Sequence, residues 1–138
     1  VRILKEVDLI AAEDTRHAKI LLDKYEIDTK KLVSFHAQSS DRKAEEILTK
    51  ILEGKDVALI SDAGTPCISD PGFKLTNICV QKNIKIIPIP GASAFLTLLS
   101  ASGFPVDKFE FLGFLPHKKG RQTILKKIET REISSIFY

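Results

Sequence analysis

Five short segments hold most of the residues able to do chemistry: Ala12-Glu13-Asp14-Thr15-Arg16-His17, Ser34-Phe35-His36-Ala37-Gln38-Ser39, Ser61–Gly72, Ile89–Ala94 and Gly113–Arg121. Each follows an apolar, largely β-branched or aromatic run and precedes a helical pattern, so each reads as the carboxyl end of a strand. Ligands of open α/β sheets sit there. In the first segment Asp14 is a good N-cap. Capping leaves Glu13 and Arg16 unexplained, and adjacent acids beside Arg and His can manage protons or hold a substrate. His36 reads either as a capping or surface histidine or as a second proton carrier.

Ser61-Asp62-Ala63-Gly64-Thr65-Pro66-Cys67-Ile68-Ser69-Asp70-Pro71-Gly72 is the richest segment. Two glycines and two prolines let a ligand approach a backbone held in one shape. Asp62 could hold a hydroxyl or amine while the backbone of Ala63–Pro66 reads a small polar molecule. The Ser69–Gly72 half equally suits a plain cap, with Ser69 or Asp70 at N-cap and Pro71 at N1. Neither a Walker loop nor a GxGxxG fingerprint is present. Pro90-Gly91-Ala92-Ser93-Ala94 offers free N–H groups at a helix start, or is a bare helix start with a serine. Lys118, Lys119 and Arg121 open a helix, where cations oppose the dipole. Phosphate contact explains them, as does a solvated basic loop.

The elements that must position these segments alternate. Strands are expected at Asp8–Ala12, Leu32–Phe35, Val57–Ser61, Ile84–Ile89, Phe109–Phe114 and Ser134–Tyr138. Helices are expected at Thr15–Tyr25, Ser40–Leu52, Phe73–Lys82, Ala92–Ser102 and Arg121–Glu129, with the tail of another before Val7. Val57–Ile60 and Ile84–Ile87 read as strands buried on both faces, as in parallel sheets. The pattern is an α/β fold with helix-covered sheets. Pro88-Ile89-Pro90-Gly91 is the one boundary signal, dividing an N-terminal α/β domain over 1–89 from the start of a second over 90–138.

The chain has 138 residues, 43% of them hydrophobic and 28% charged, ordinary for a globular protein. It contains no apolar run long enough to span a membrane and no signal-peptide pattern. Cys67 and Cys79 form neither a metal-ligand pair nor a disulfide framework, and no His/Cys/Asp group has ligand spacing. A cytoplasmic location is the expectation. There is no Met, and the first and last segments read as partial elements, so the sequence is expected to be a fragment. Net charge is +3, with a +4 excess after Phe111, which suits a polyanionic partner.

The motifs AEDTRH (Ala12–His17), SDAGTPCISDPG (Ser61–Gly72), PIPGASA (Pro88–Ala94) and GFLPHKKGR (Gly113–Arg121), in this order and spacing, closely resemble the bacterial small-subunit ribosomal RNA (cytidine) ribose-2′-O-methyltransferase I family. That family is a branch of the tetrapyrrole (corrin/porphyrin) methylase superfamily. The resemblance implies two α/β domains with S-adenosyl-L-methionine in the cleft between them, both domains truncated here, and a homodimer. It implies that Asp62, Ala63, Gly64, Thr65 and Pro66 line the cofactor from the first domain, and Ser93 and Ala94 from the second. The family's opening strand and Pro-Thr-Pro-Ile-Gly-Asn loop are expected before Val1, and the rest of the second domain after Tyr138.

A ribose 2′-hydroxyl is a weak nucleophile that gains from a nearby base or from hydrogen bonds to its developing charge. Glu13, Asp14 and His36 are the candidates for that work, with Arg16 orienting phosphate or an acid. Lys118, Lys119 and Arg121 are the candidate RNA contacts. Two other readings stand beside this one: a same-fold methylase acting on a tetrapyrrole or other small molecule, and a non-catalytic nucleotide- or RNA-binding α/β module.

Overall fold

A computed structural model describes all of residues 1–138, which divide into two compact units, Val1–Gly91 and Ala92–Tyr138. The first contains α1 (Arg2–Glu6), β1 (Leu9–Ala12), α2 (Thr15–Lys24), β2 (Leu32–Ser34), α3 (Asp41–Leu52), β3 (Val57–Ile60) and α4 (Phe73–Gln81). Its three strands are parallel in the order β2-β1-β3, with Ala12 level with Ser34 on one side and Ile60 on the other.

β1 is central and buried on both faces, which its apolar Leu-Ile-Ala-Ala sequence suits. Side chains alternate across a strand, so neighbours on β1 serve opposite layers. Ile10 packs with Leu22 of α2 and Ile27. Ala11 belongs to the other layer, with Phe35, Ala44 and Ile47 of α3, and Leu75 and Cys79 of α4. α3 begins because Ser40 accepts the Lys43 N–H at 3.3 Å. It ends at Gly54, which takes a left-handed φ of +86°. A short 3-10 turn at Thr29–Lys31, not anticipated from the sequence, lets Lys31 Nζ donate to the carbonyls of Lys5 and Val7, the latter at 2.7 Å.

The second unit holds α5 (Ala94–Ala101), β4 (Phe109–Phe111), α6 (Arg121–Glu129) and β5 (Ser134–Ile136), with β4 and β5 parallel. Phe95 of α5 stacks on Phe111 at 4.6 Å between ring centroids, and Tyr138 meets Phe111 edge-on. Aromatic pairs in such offset and edge arrangements are favourable beyond their area.

Two expectations need correction. Ile84–Ile89 is not a strand. Ile84 packs against the first unit's core, but Ile86, Ile87 and Ile89 are exposed and the segment pairs with no strand. Pro88 and Pro90 withhold two of the N–H donors that a ladder here would need. Nor is β3 buried on both faces: it stands at the edge of the sheet, half-buried throughout. In unfolding experiments Ile10→Ala should cost about 2–5 kcal/mol, as for other large-to-small core changes. Ile87→Thr should stay within about 0.5 kcal/mol of the parent. A comparable loss at Ile87 would restore a packed strand there.

Candidate functional site

β1 and β3 are parallel neighbours, so the loops that follow them leave the sheet at the same edge and flank one crevice. That is the crevice where open α/β sheets hold ligands. The register Ala12↔Ile60 levels the two strand ends, so Glu13–Asp14 and Ser61–Asp62 emerge side by side. Asp62 ties them together. Its Oδ1 accepts the Asp14 N–H at 3.2 Å, and its Oδ2 lies 3.1 Å from His17 Nδ1. Glu13 answers by accepting the Asp62 N–H at 3.3 Å.

Asp14 caps α2 by accepting the Arg16 N–H at 2.8 Å, and the Arg16 guanidinium grips the same carboxylate at 2.6–3.2 Å. Those bonds hold the Asp14 carboxyl well below the usual carboxylate range and raise the guanidinium. Asp70 shifts the other way: burial, then the charges of Glu13 and Asp62, push its pKa up. Four carboxylates and one histidine therefore converge on this crevice. Side-chain atoms of Asp14, His17 and Asp62 lie within 4.8 Å of one another, and with the Arg16 guanidinium already on Asp14 they form a hydrogen-bonded cluster rather than a cation site. Sequence spacing gave no sign of such a group, because the fold assembles it from segments 45 residues apart.

The Ser61–Gly72 loop lies beyond β3 with Asp62, Ala63, Gly64 and Thr65 exposed. Gly64 adopts φ +71°, Cys67 φ +72° and Ser69 φ +62°. Left-handed conformations at non-glycine residues are costly and cluster at ligand sites. Gly72, at φ +141°, has no room for a side chain: a Cβ would stand 2.6 Å from Cys67 Sγ and 2.8 Å from Leu59 Cδ2. The capping alternative for Ser69–Gly72 fails, since Gly72 is the N-cap of α4 and the helix starts at Phe73. Ser69 is left-handed, whereas an N-cap takes extended backbone.

His36 is not joined to the Asp62 cluster. It lines an open groove of about 200 Å³ with Phe35, Asp70, Pro71 and Phe73. In the second unit Ser93 is the N-cap of α5 but makes no side-chain capping bond, and Ala94 is the first helical residue, two later than expected. Lys118, Lys119 and Arg121 are exposed, and none has a carboxylate partner. Gly120, at φ +89°, turns the chain into α6.

The sequence pattern of the Tetrapyrrole (Corrin/Porphyrin) Methylases matches residues 1–138. The chain belongs to that family. It is 48% identical over 139 residues to a protein of Escherichia coli O157:H7 named Ribosomal RNA small subunit methyltransferase I, matching 100% of this chain and 48% of that protein. Proteins of the same name from Pasteurella multocida and Thermotoga maritima are 50% and 45% identical, covering 99% and 100% of the chain and 48% and 62% of their own lengths. The chain thus spans about half the length of most of the curated relatives it matches.

Two members of the cluster, His17 and Asp70, are not among the site residues nominated from the sequence, although His17 is noted there beside the acids and Asp70 as a possible cap. His17 stands three residues after the cap Asp14, and helix neighbours at that spacing share a face; that is the available signal. Asp70 looks from its type and position like a possible cap. The two shifted carboxyls give opposite pH signatures. Asp14 has a folded pKa below its unfolded value of about 4, so its stabilisation is complete above that value and is lost as pH falls through the folded pKa. Asp70 has a raised folded pKa, so it favours the native state below the unfolded value and loses this as pH rises through the folded one. Thermal unfolding should therefore show Asp14→Ala lowering the midpoint at neutral pH, with the gap closing below about pH 4. Asp70→Asn should raise the midpoint at neutral pH and give no gain in acid. Parallel pH curves for the parent and both variants would refute the assignments.

Proposed function

We propose that the protein carrying this chain is an S-adenosyl-L-methionine-dependent methyltransferase that methylates the ribose 2′-oxygen of a cytidine in small-subunit ribosomal RNA, working in the cytoplasm as a homodimer. The observation that carries the reading is the match of the whole chain, at 45–50% identity, to proteins named for methylating that RNA. The geometry agrees with the class of reaction. A strained, solvent-facing loop at the carboxyl end of a parallel strand suits a small ligand read by backbone. Glu13, Asp62 and Asp70 supply negative charge, which suits a sulfonium and an amine, and Asp62 or Glu13 can accept from ribose hydroxyls. The residues present therefore fit S-adenosyl-L-methionine.

When bound, that molecule supplies a methyl group on a good leaving group. Such an in-line displacement leaves positioning as the main task of the protein. Ala63, Gly64, Thr65 and Pro66 hold the ligand through backbone, and Ser93 and Ala94 contribute from the start of α5. Glu13, Asp14, Arg16 and His36 remain proposed as the groups that orient the acceptor and manage its proton, with Glu13 and Asp14 also setting the shape of the crevice. Lys118, Lys119 and Arg121, unpaired at the start of α6, take phosphate.

The full-length protein, incubated with S-adenosyl-L-methionine and small ribosomal subunits, should yield 2′-O-methylcytidine on nucleoside digestion. Methylation of a base, or of a tetrapyrrole alone, would reject the reading, and cofactor binding without transfer would favour a binding module. Gly64→Val should remove S-adenosyl-L-methionine binding by calorimetry with the fold intact. The obstacle is conformational, because a Cβ there meets only Asp70 Oδ2 at an ordinary 3.8 Å, while φ +71° is hostile to a β-branched residue. Replacing Lys118, Lys119 and Arg121 with Ala should weaken RNA binding. Its log–log salt slope should flatten by roughly 0.7–0.9 for each phosphate that is no longer neutralised. An unchanged slope would make the segment a solvated face.

A further inference from the structure

We infer that His17, held by Asp62, is the base that takes the proton of the ribose 2′-hydroxyl. The inference rests on the methyl-transfer reading above and names a group which that reading leaves out. The Asp62 carboxylate accepts a hydrogen bond from His17 Nδ1 at 3.1 Å, which fixes the Nδ1–H tautomer and leaves a lone pair on Nε2. The imidazole is 67% exposed, so Nε2 is accessible to an incoming substrate. Asp62 belongs to the loop proposed to hold the methyl donor, so one carboxylate joins the base to the donor's binding loop.

The neighbouring acids are committed elsewhere. Asp14 is bound by Arg16 through its side chain and by the helix start through its cap. Glu13 accepts the Asp62 N–H. His36 makes no hydrogen bond to Asp62 and lines a groove whose one link to the cluster is Asp70. An orienting carboxylate behind an imidazole is the arrangement that makes a neutral histidine an effective proton acceptor and steadies the imidazolium that results. The charged groups around His17 are Asp62, in hydrogen-bond contact, and Asp14 with its bound Arg16 at the start of its own helix; Glu13 and Asp70 lie beside Asp62. As the bond between the 2′-oxygen and the methyl carbon forms, the methyl–sulfur bond breaks and its electron pair stays on sulfur. The hydroxyl proton passes to Nε2, and from the exposed imidazolium to water.

Two measurements on the full-length protein test this. In the ligand-free protein, long-range nitrogen–proton NMR should show the neutral His17 ring protonated on Nδ1. In Asp62→Asn that preference should be lost. In methyl transfer to small subunits, His17→Gln should lower kcat by about 10²–10⁴-fold, the usual contribution of a positioned base. KM for S-adenosyl-L-methionine should stay within about twofold, as for a group acting only on the chemical step. The fall in rate on acidification should disappear in the variant, and added imidazole should restore part of the rate of His17→Ala. A neutral His17 protonated on Nε2, or a His17→Gln variant with near-parent kcat and an unchanged pH profile, would overturn the inference while leaving the methyltransferase reading intact. A parent protein that moves no methyl group to RNA would overturn both.

Discussion

Parallel pairing of β1 with β3, Ala12 level with Ile60, is the constraint from which the candidate site follows. Successive residues along a strand are about 3.3 Å apart and face alternate sides. A slip of one residue would therefore carry Asp62 away from the Asp14 N–H and from His17, and would turn its side chain to the opposite face. The register is held by burial on both sides of β1, where Ile10 and Ala11 are locked into different layers. Hydrogen bonds at the strand ends then carry the register into the loops: Glu13 N–H to Ile60 O, Phe35 N–H to Ala12 O, Asp62 N–H to the Glu13 carboxylate and Asp14 N–H to the Asp62 carboxylate. Core packing and the geometry of the crevice are in this sense one interaction viewed from two ends.

How much of this the sequence disclosed depended on how local the governing physics was. α2, α3 and α6 were legible because their periodicity and caps are written within a few residues; Asp14 and Ser40 cap as their types suggest, and α6 spans Arg121–Glu129 as expected. Ile84–Ile89 misleads because β-branched composition says that a segment can be extended, not that a neighbouring strand is there to pair with. The helix α4 starts at Phe73 as expected, but its cap misleads for a subtler reason. Ser69 and Asp70 have capping side chains, but the close approach of Gly72 to Leu59 and Cys67 sets the backbone path, and that approach joins residues distant in sequence. The site follows the same rule. Its segments were recognisable one by one, whereas the joining of His17 to Asp62 across 45 residues was not.

The crevice works against stability. Asp70 is partly buried among like charges, and Cys67 and Ser69 sit in left-handed backbone that non-glycine residues avoid. Conformational strain and unneutralised charge at a strand-end loop are what a preorganised ligand site would retain, because relaxing them on binding adds to affinity. Arg16 limits the cost at one point only, by neutralising Asp14 at the head of α2.

That charge distribution also constrains how an RNA could be handled. On the proposed reading, Glu13, Asp62 and Asp70 would favour a cationic methyl donor and repel phosphate, so a nucleotide would be taken through its ribose rather than through its backbone anions. Lys118, Lys119 and Arg121 are the residues proposed for phosphate because they are exposed, unpaired with any carboxylate, and set at the start of a helix whose dipole attracts anions. If the protein acts as proposed, the separation of sign along the chain, with a +4 excess after Phe111 and a slight negative balance before it, would match a sulfonium and a polyanion each to residues of opposite charge.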